Sequence, residues 1–207
     1  MLNKNFIQFF VFSLLVITPP AIAQTTSKAF TVSATVPAAT SIGINAFHVN
    51  SSSGFFTPIT GTFLNFDPLS LDPISNIYLP DHYWVIDTAG MGGAVGNMST
   101  TFTYQPGLTP NINGHGIGHK TTLTFVKVTS SEEIGLIAHG PKKMLKDLNG
   151  ETILGSETSN GFLRCYLGIV TGDPNAVYLD PADAEVFSNA DAPGVYDGVL
   201  LISATLL

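Results

Sequence analysis

The chain has 207 residues and a mass of 21.9 kDa, the size of one domain or two small ones. Eight Lys and Arg against fifteen Asp and Glu give a net charge of −7 and a pI near 4.9, which argues against the basic face that nucleic acid or anionic lipid requires. With 44% hydrophobic and only 11% charged residues the chain has ample material for a core, and its 20 Gly and 13 Pro interrupt it too often for a helical bundle.

The first segment reads as an export signal. Lys4 precedes an apolar run over residues 6–17, then Pro19, Pro20 and the small-residue box Ala21-Ile22-Ala23. That is the layout of a secretory signal peptide cleaved after Ala23. Its apolar core is about a dozen residues, short of the ~20 that span a bilayer. No later run reaches about 18 apolar residues, so no membrane span is expected in the mature chain. Residues 24–207 are expected to form a single exported domain, extracellular, at the cell surface or in the periplasm. Without Lys4 that domain carries seven basic and fifteen acidic residues, a net charge of −8.

The remaining elements read mostly as strands. Phe30, Val32, Ala34 and Val36 alternate with polar or small residues and share one face, the pattern of a half-buried strand. Strands are also expected over residues 42–49, 62–66, 82–87, 99–104, 121–128, 162–170 and 195–206. Residues 162–170 are the most continuously apolar, which predicts a central strand. Four Asp-Pro steps, at Asp67, Asp72, Asp173 and Asp180, mark turns. Residues 90–96 and 111–118 are glycine-rich loops. Residues 131–160 hold eight charges, and within them residues 141–150 fit either a short helix, with Pro141 first and Gly150 past its end, or a hairpin connection. Many short strands with Gly/Pro turns predict an all-β fold, an antiparallel β-sandwich of immunoglobulin-like or pilin-like form, with at most one short helix.

Candidate chemistry is sparse. His115 and His119 have a metal-ligand spacing, but Gly116 and Gly118 between them oppose the helix that would bring both to one ion. His48, His82 and His139 lie in unrelated segments. Asp81, His82 and Asp87 suggest parts of a triad, yet no Gly-x-Ser-x-Gly elbow accompanies them. Cys165 is the single cysteine; it stands in an apolar run and is expected to be a small buried hydrophobe. Asp173, Asp180, Asp183, Glu185, Asp191 and Asp197 make the C-terminal third acidic. Their spacing fits no EF-hand, and a solvated acidic surface is expected. Phe55, Phe56, Phe63, Phe66, Tyr78, Tyr83 and Trp84 offer either a carbohydrate platform or core. No catalytic residue, metal site or cofactor is assigned.

The two ends carry the clearest functional signal. Residues 192–207 run from a Pro-Gly turn through Tyr196 and Asp197-Gly198 into a long apolar stretch ending at Leu207. This ending resembles the final strand of secreted bacterial chaperone–usher pilins and the related spore-coat-U-like proteins. Residues 30–36 resemble their N-terminal donor strand, although the chain lacks the cysteine pair usual in many pilins. The resemblance implies that Phe30, Val32, Ala34 and Val36 form an assembly strand filling alternate pockets of a neighbouring subunit. It also implies copies of the chain itself, or a periplasmic chaperone, as partners. The expected function is a secreted, non-enzymatic structural or adhesive subunit. The alternative is a secreted binding module for carbohydrate or calcium, and a secreted hydrolase is least supported.

Overall fold

The computed structural model describes residues 41–91, 97–107, 116–127, 139–157, 162–173 and 180–207. All of them belong to the unit Ala38–Leu207. The expected signal peptide and the strand carrying Phe30, Val32, Ala34 and Val36 lie outside the described residues, as does His115.

The fold is all-β and antiparallel. The strands are β1 (Ser41–Asn50), β2 (Phe56–Ile59), β3 (Leu69–Asp72), β4 (Ile77–Pro80), β5 (His82–Met91) and β6 (Met98–Pro106). They continue with β7 (Thr121–Lys127), β8 (His139–Met144), β9 (Asn149–Leu154), β10 (Phe162–Ile169) and β11 (Gly198–Leu206). Among the described residues the helical elements are three single 3-10 turns. One sheet has the order β2-β1-β5-β10-β7-β8, a second β11-β6-β9, and β3 pairs with β4 as a hairpin.

The hydrophobic pattern explains the layering. Leu163, Cys165, Leu167 and Ile169 of β10 alternate toward a core that also takes Trp84 and Ile86 of β5 and Leu123 and Phe125 of β7. The three-stranded sheet supplies Phe102 and Ile153 to the same core, with Leu200 and Ile202 packed at its margin. The Phe102 and Phe125 rings meet edge-on at 5.0 Å between centroids, so the contact runs from one sheet to the other. This arrangement is sandwich-like. On the opposite face of the large sheet, Val49, Tyr83, Val85, Phe162 and Tyr166 form a second cluster. Strand β10 is buried at every position, which accounts for its near-continuous apolar sequence.

Three sequence expectations change. Residues 62–66 are not a strand: Phe66 turns into the core while Phe63 is 81% exposed, and the segment is an irregular loop. Residues 141–150 form neither a helix nor a simple hairpin. Strand β8 ends, a 3-10 turn follows at Leu145–Asp147, and β9 continues in the other sheet. Leu145 and Leu148 bury into the shared core and draw the chain across. The last strand begins at Gly198, not Val195; ahead of it the Tyr196 hydroxyl donates to the Ala192 carbonyl at 2.8 Å and holds a turn. The Asp72-Pro73 turn forms as its chemistry predicts. The Asp72 carboxylate accepts from the Ile74 amide at 3.1 Å and the Ser75 hydroxyl at 2.5 Å, joining β3 to β4.

Candidate functional site

An edge strand exposes unpaired backbone donors and acceptors, and proteins ordinarily block it. Among the described residues the two larger sheets end on four strands: β2, β8, β9 and β11. Strand β2 is four residues long and contains Pro58, which lacks a donor. Strand β8 contains Pro141, Lys142 and Lys143, and its pairing with β7 shifts register between Thr124 and Val126. Strand β9 carries Glu151, has Gly150 at φ +74°, and its pairing with β6 shifts register between Phe102 and Thr103. Strand β11 has none of these features. Its nine residues, GVLLISATL, contain no proline and no charge. They pair with β6 without a break, from Gly198 opposite Pro106 to Leu206 opposite Met98. At ~3.4 Å per residue this is an uninterrupted edge of roughly 30 Å.

Alternation along β11 makes both of its faces unusual. Leu200 and Ile202 point to the shared core but are only half-buried. On β1 of the large sheet, Ile44 is 44% exposed. Among the described residues no strand covers the core margin beyond β11. On the outward face Val199 and Leu201 are 56% and 50% exposed. Burying the exposed part of either side chain contributes about 1 kcal/mol. The same outward face continues over β6 and β9 as Ser99, Thr101, Thr103 and Thr152, beside Ser203 and Thr205 of β11. Thr101 and Thr152 meet hydroxyl to hydroxyl at 3.1 Å. This hydroxyl face carries no charge, although the protein is strongly acidic.

The other candidates fall apart or find structural partners. His82 and His48, separate in sequence, are brought together because β1 and β5 pair with His48 opposite Trp84 and Asn50 opposite His82. Their rings stand 4.4 Å apart. His82 Nδ1 meets the Asp81 carboxylate at 2.6 Å and Nε2 meets the Asn65 carbonyl at 2.7 Å. Both partners are hydrogen-bond acceptors. A carbonyl stands where a triad would place a hydroxyl. Burial first, then the His82 charge, lowers the His48 pKa, with Asp81 opposing. Asp87 lies elsewhere and pairs with Arg164: Nε and Nη2 donate to the two carboxylate oxygens, each at 2.8 Å, with both side chains almost fully buried.

In the acidic C-terminal third Asp173, Asp183 and Asp197 are exposed, while Asp180, Glu185 and Asp191 are half-buried. Lys120, itself buried, donates to Asp191 at 2.9 Å and to the Val186 carbonyl at 2.9 Å, with Glu185 at 3.6 Å. Lys146 engages Asp183 at 2.8 Å. Asp180 accepts from the Gly172 amide at 2.9 Å, and burial pushes its pKa up. Among the described residues no group of three His, Cys, Asp or Glu side chains is placed to share an ion. The aromatic residues do not form one platform. Phe66 and Trp84 enter the shared core, Tyr83 and Phe56 belong to the opposite cluster, and Phe55 is exposed. Cys165 is fully buried in the core, where desolvation pushes its thiol pKa up.

Sequence reasoning placed the last strand but not its position at a sheet edge among the described residues, and it missed the Arg164–Asp87 and His48–His82 pairs. The identities of these residues were visible, but their juxtaposition depends on strand order and register. Comparison with protein-family models, with curated proteins and with solved structures found no match to this chain.

Proposed function

We propose that the chain is an exported, non-enzymatic structural or adhesive subunit that acts through β-strand-mediated self-association or surface contacts. The observation that carries this reading is β11: a long, uncharged, proline-free strand at a sheet edge, where other edges are short, charged, interrupted or kinked. Such an edge favours main-chain pairing with another strand. The end-of-chain resemblance to pilins points the same way and adds a periplasmic chaperone as a candidate partner. Sedimentation velocity of the exported protein over a wide concentration range tests the reading. Reversible or irreversible assembly is expected; a monomer at every concentration rejects it. N-terminal sequencing of the same material should begin at Gln24, and a retained Met1 would reject the export signal.

The outward hydroxyl face favours a second reading, a carbohydrate-binding module. Ser99, Thr101, Thr103, Thr152, Ser203 and Thr205 present hydroxyls without charge, a chemistry suited to neutral glycans. Binding to neutral polysaccharide that is lost in Thr101→Lys would support it, and no binding on a broad glycan array would remove it.

A further inference from the structure

Resting on the self-association reading, we infer that β11 is the interface itself, and that it pairs antiparallel with β11 of a second copy about a twofold axis at Ile202. The strand's own sequence carries the argument. Complete overlap of Gly198–Leu206 with its copy places Ile202 opposite Ile202. Leu200 then faces Ala204, Leu206 faces Gly198, Leu201 faces Ser203 and Val199 faces Thr205. Apart from the axial pair, each large side chain meets a smaller one. Moving the axis one residue earlier sets Leu200 against Ile202 and Leu201 against itself, crowding large residues together.

Because pairing partners related by this axis lie an even number of residues apart, each face stays on its own side. Leu200, Ile202 and Ala204 of the second copy extend the core-facing row past the margin where Leu200 and Ile202 are half-buried. Val199 and Leu201 lose their exposure on the outward side. The contact also suits a second copy of an acidic protein. No charge lies on the strand, so like charges do not face each other within it. A twofold contact is isologous and closes at a dimer, whereas insertion of a different strand would be head-to-tail.

Charge exchange at two exposed outward positions tests the axis. Leu201 of one copy faces Ser203 of the other, so Leu201→Lys with Ser203→Lys sets lysine against lysine twice. Leu201→Lys with Ser203→Glu sets lysine against glutamate twice. Like charges directly opposite on a sheet destabilise pairing and opposite charges favour it. Sedimentation equilibrium should give a dissociation constant on the order of tenfold weaker for the Lys/Lys protein than for the Lys/Glu protein. Thermal unfolding should show both variants folded. Equal dissociation constants for the two variants, with assembly intact, overturn the β11–β11 interface while leaving self-association standing. A wild-type protein that never assembles overturns both.

Discussion

Arg164→Met should unfold the protein far more readily than the loss of one surface charge would. Arg164 and Asp87 stand directly opposite on β10 and β5, in the middle of the large sheet. Their side chains are 1% and 3% exposed and share two charge-assisted hydrogen bonds of 2.8 Å. Arg164 also hydrogen-bonds Tyr166, and its guanidinium lies 5.0 Å from the centre of the Phe56 ring. Burial opposes the guanidinium charge, but the Asp87 hydrogen bonds and charge outweigh it and raise the Arg164 pKa. Methionine keeps much of the apolar stem and leaves the Asp87 carboxylate buried without its cation. Breaking one side of such a pair costs about 3–5 kcal/mol. For a domain of this size that lowers the thermal midpoint by roughly 6–20 °C. Replacing both partners, as Asp87→Leu with Arg164→Met, should recover more than half of the loss, because no charge then remains buried alone. Urea unfolding of the two single variants and the double variant supplies the complete cycle. A cost under about 1 kcal/mol for Arg164→Met would refute the buried-charge argument. A double variant no more stable than Arg164→Met would assign the loss to packing.

Three further outcomes follow from local geometry. A Cβ at Gly118 would stand 2.5 Å from Tyr104 Cε1, and one at Gly198 would stand 2.6 Å from Tyr104 Cε2; Gly118→Ala and Gly198→Ala should each destabilise by about 1–3 kcal/mol in urea unfolding, and unchanged midpoints would show that the ring moves freely. The lowered His48 pKa means that the unfolded chain takes up that proton first as pH falls below about 6.5, so stability declines from there until the folded residue also protonates. His48→Gln should flatten this part of a stability–pH profile, and an unaltered slope would exclude His48 as its source. Cys165 should resist a thiol reagent in the native protein and react at once in denaturant, because its sulfur is fully buried; fast native labelling would contradict its place in the core.

Much of the β character of this protein is local. Period-two alternation in residues 99–104 reports a half-buried strand whatever its neighbours, because side chains on a strand alternate faces, whereas the alternating residues 121–125 are buried at every position. The continuous apolar run of β10 likewise betrays burial on both sides. Asp72-Pro73 makes its turn from its own side chain and ring. Residues 62–66 mark the limit: Thr62, Phe63 and Phe66 are strand-favouring residues, but Phe66 is held in the core and the segment is an irregular loop.

The proposed interaction surface belongs to the level that alternation cannot reach. From its residues β11 is a strand; only the order β11-β6-β9 places it at an edge. β11 carries none of the prolines or charges that mark the other edges, so its residues alone read equally well as an interior strand. Asp87 and Arg164 are 77 positions apart and meet through the register of β5 and β10. His48 and His82 meet through the register of β1 and β5. Residue chemistry thus determined which groups need partners, while strand order and register, set by the collective burial of two sheets, decided which partners they have and which edge has none among the described residues.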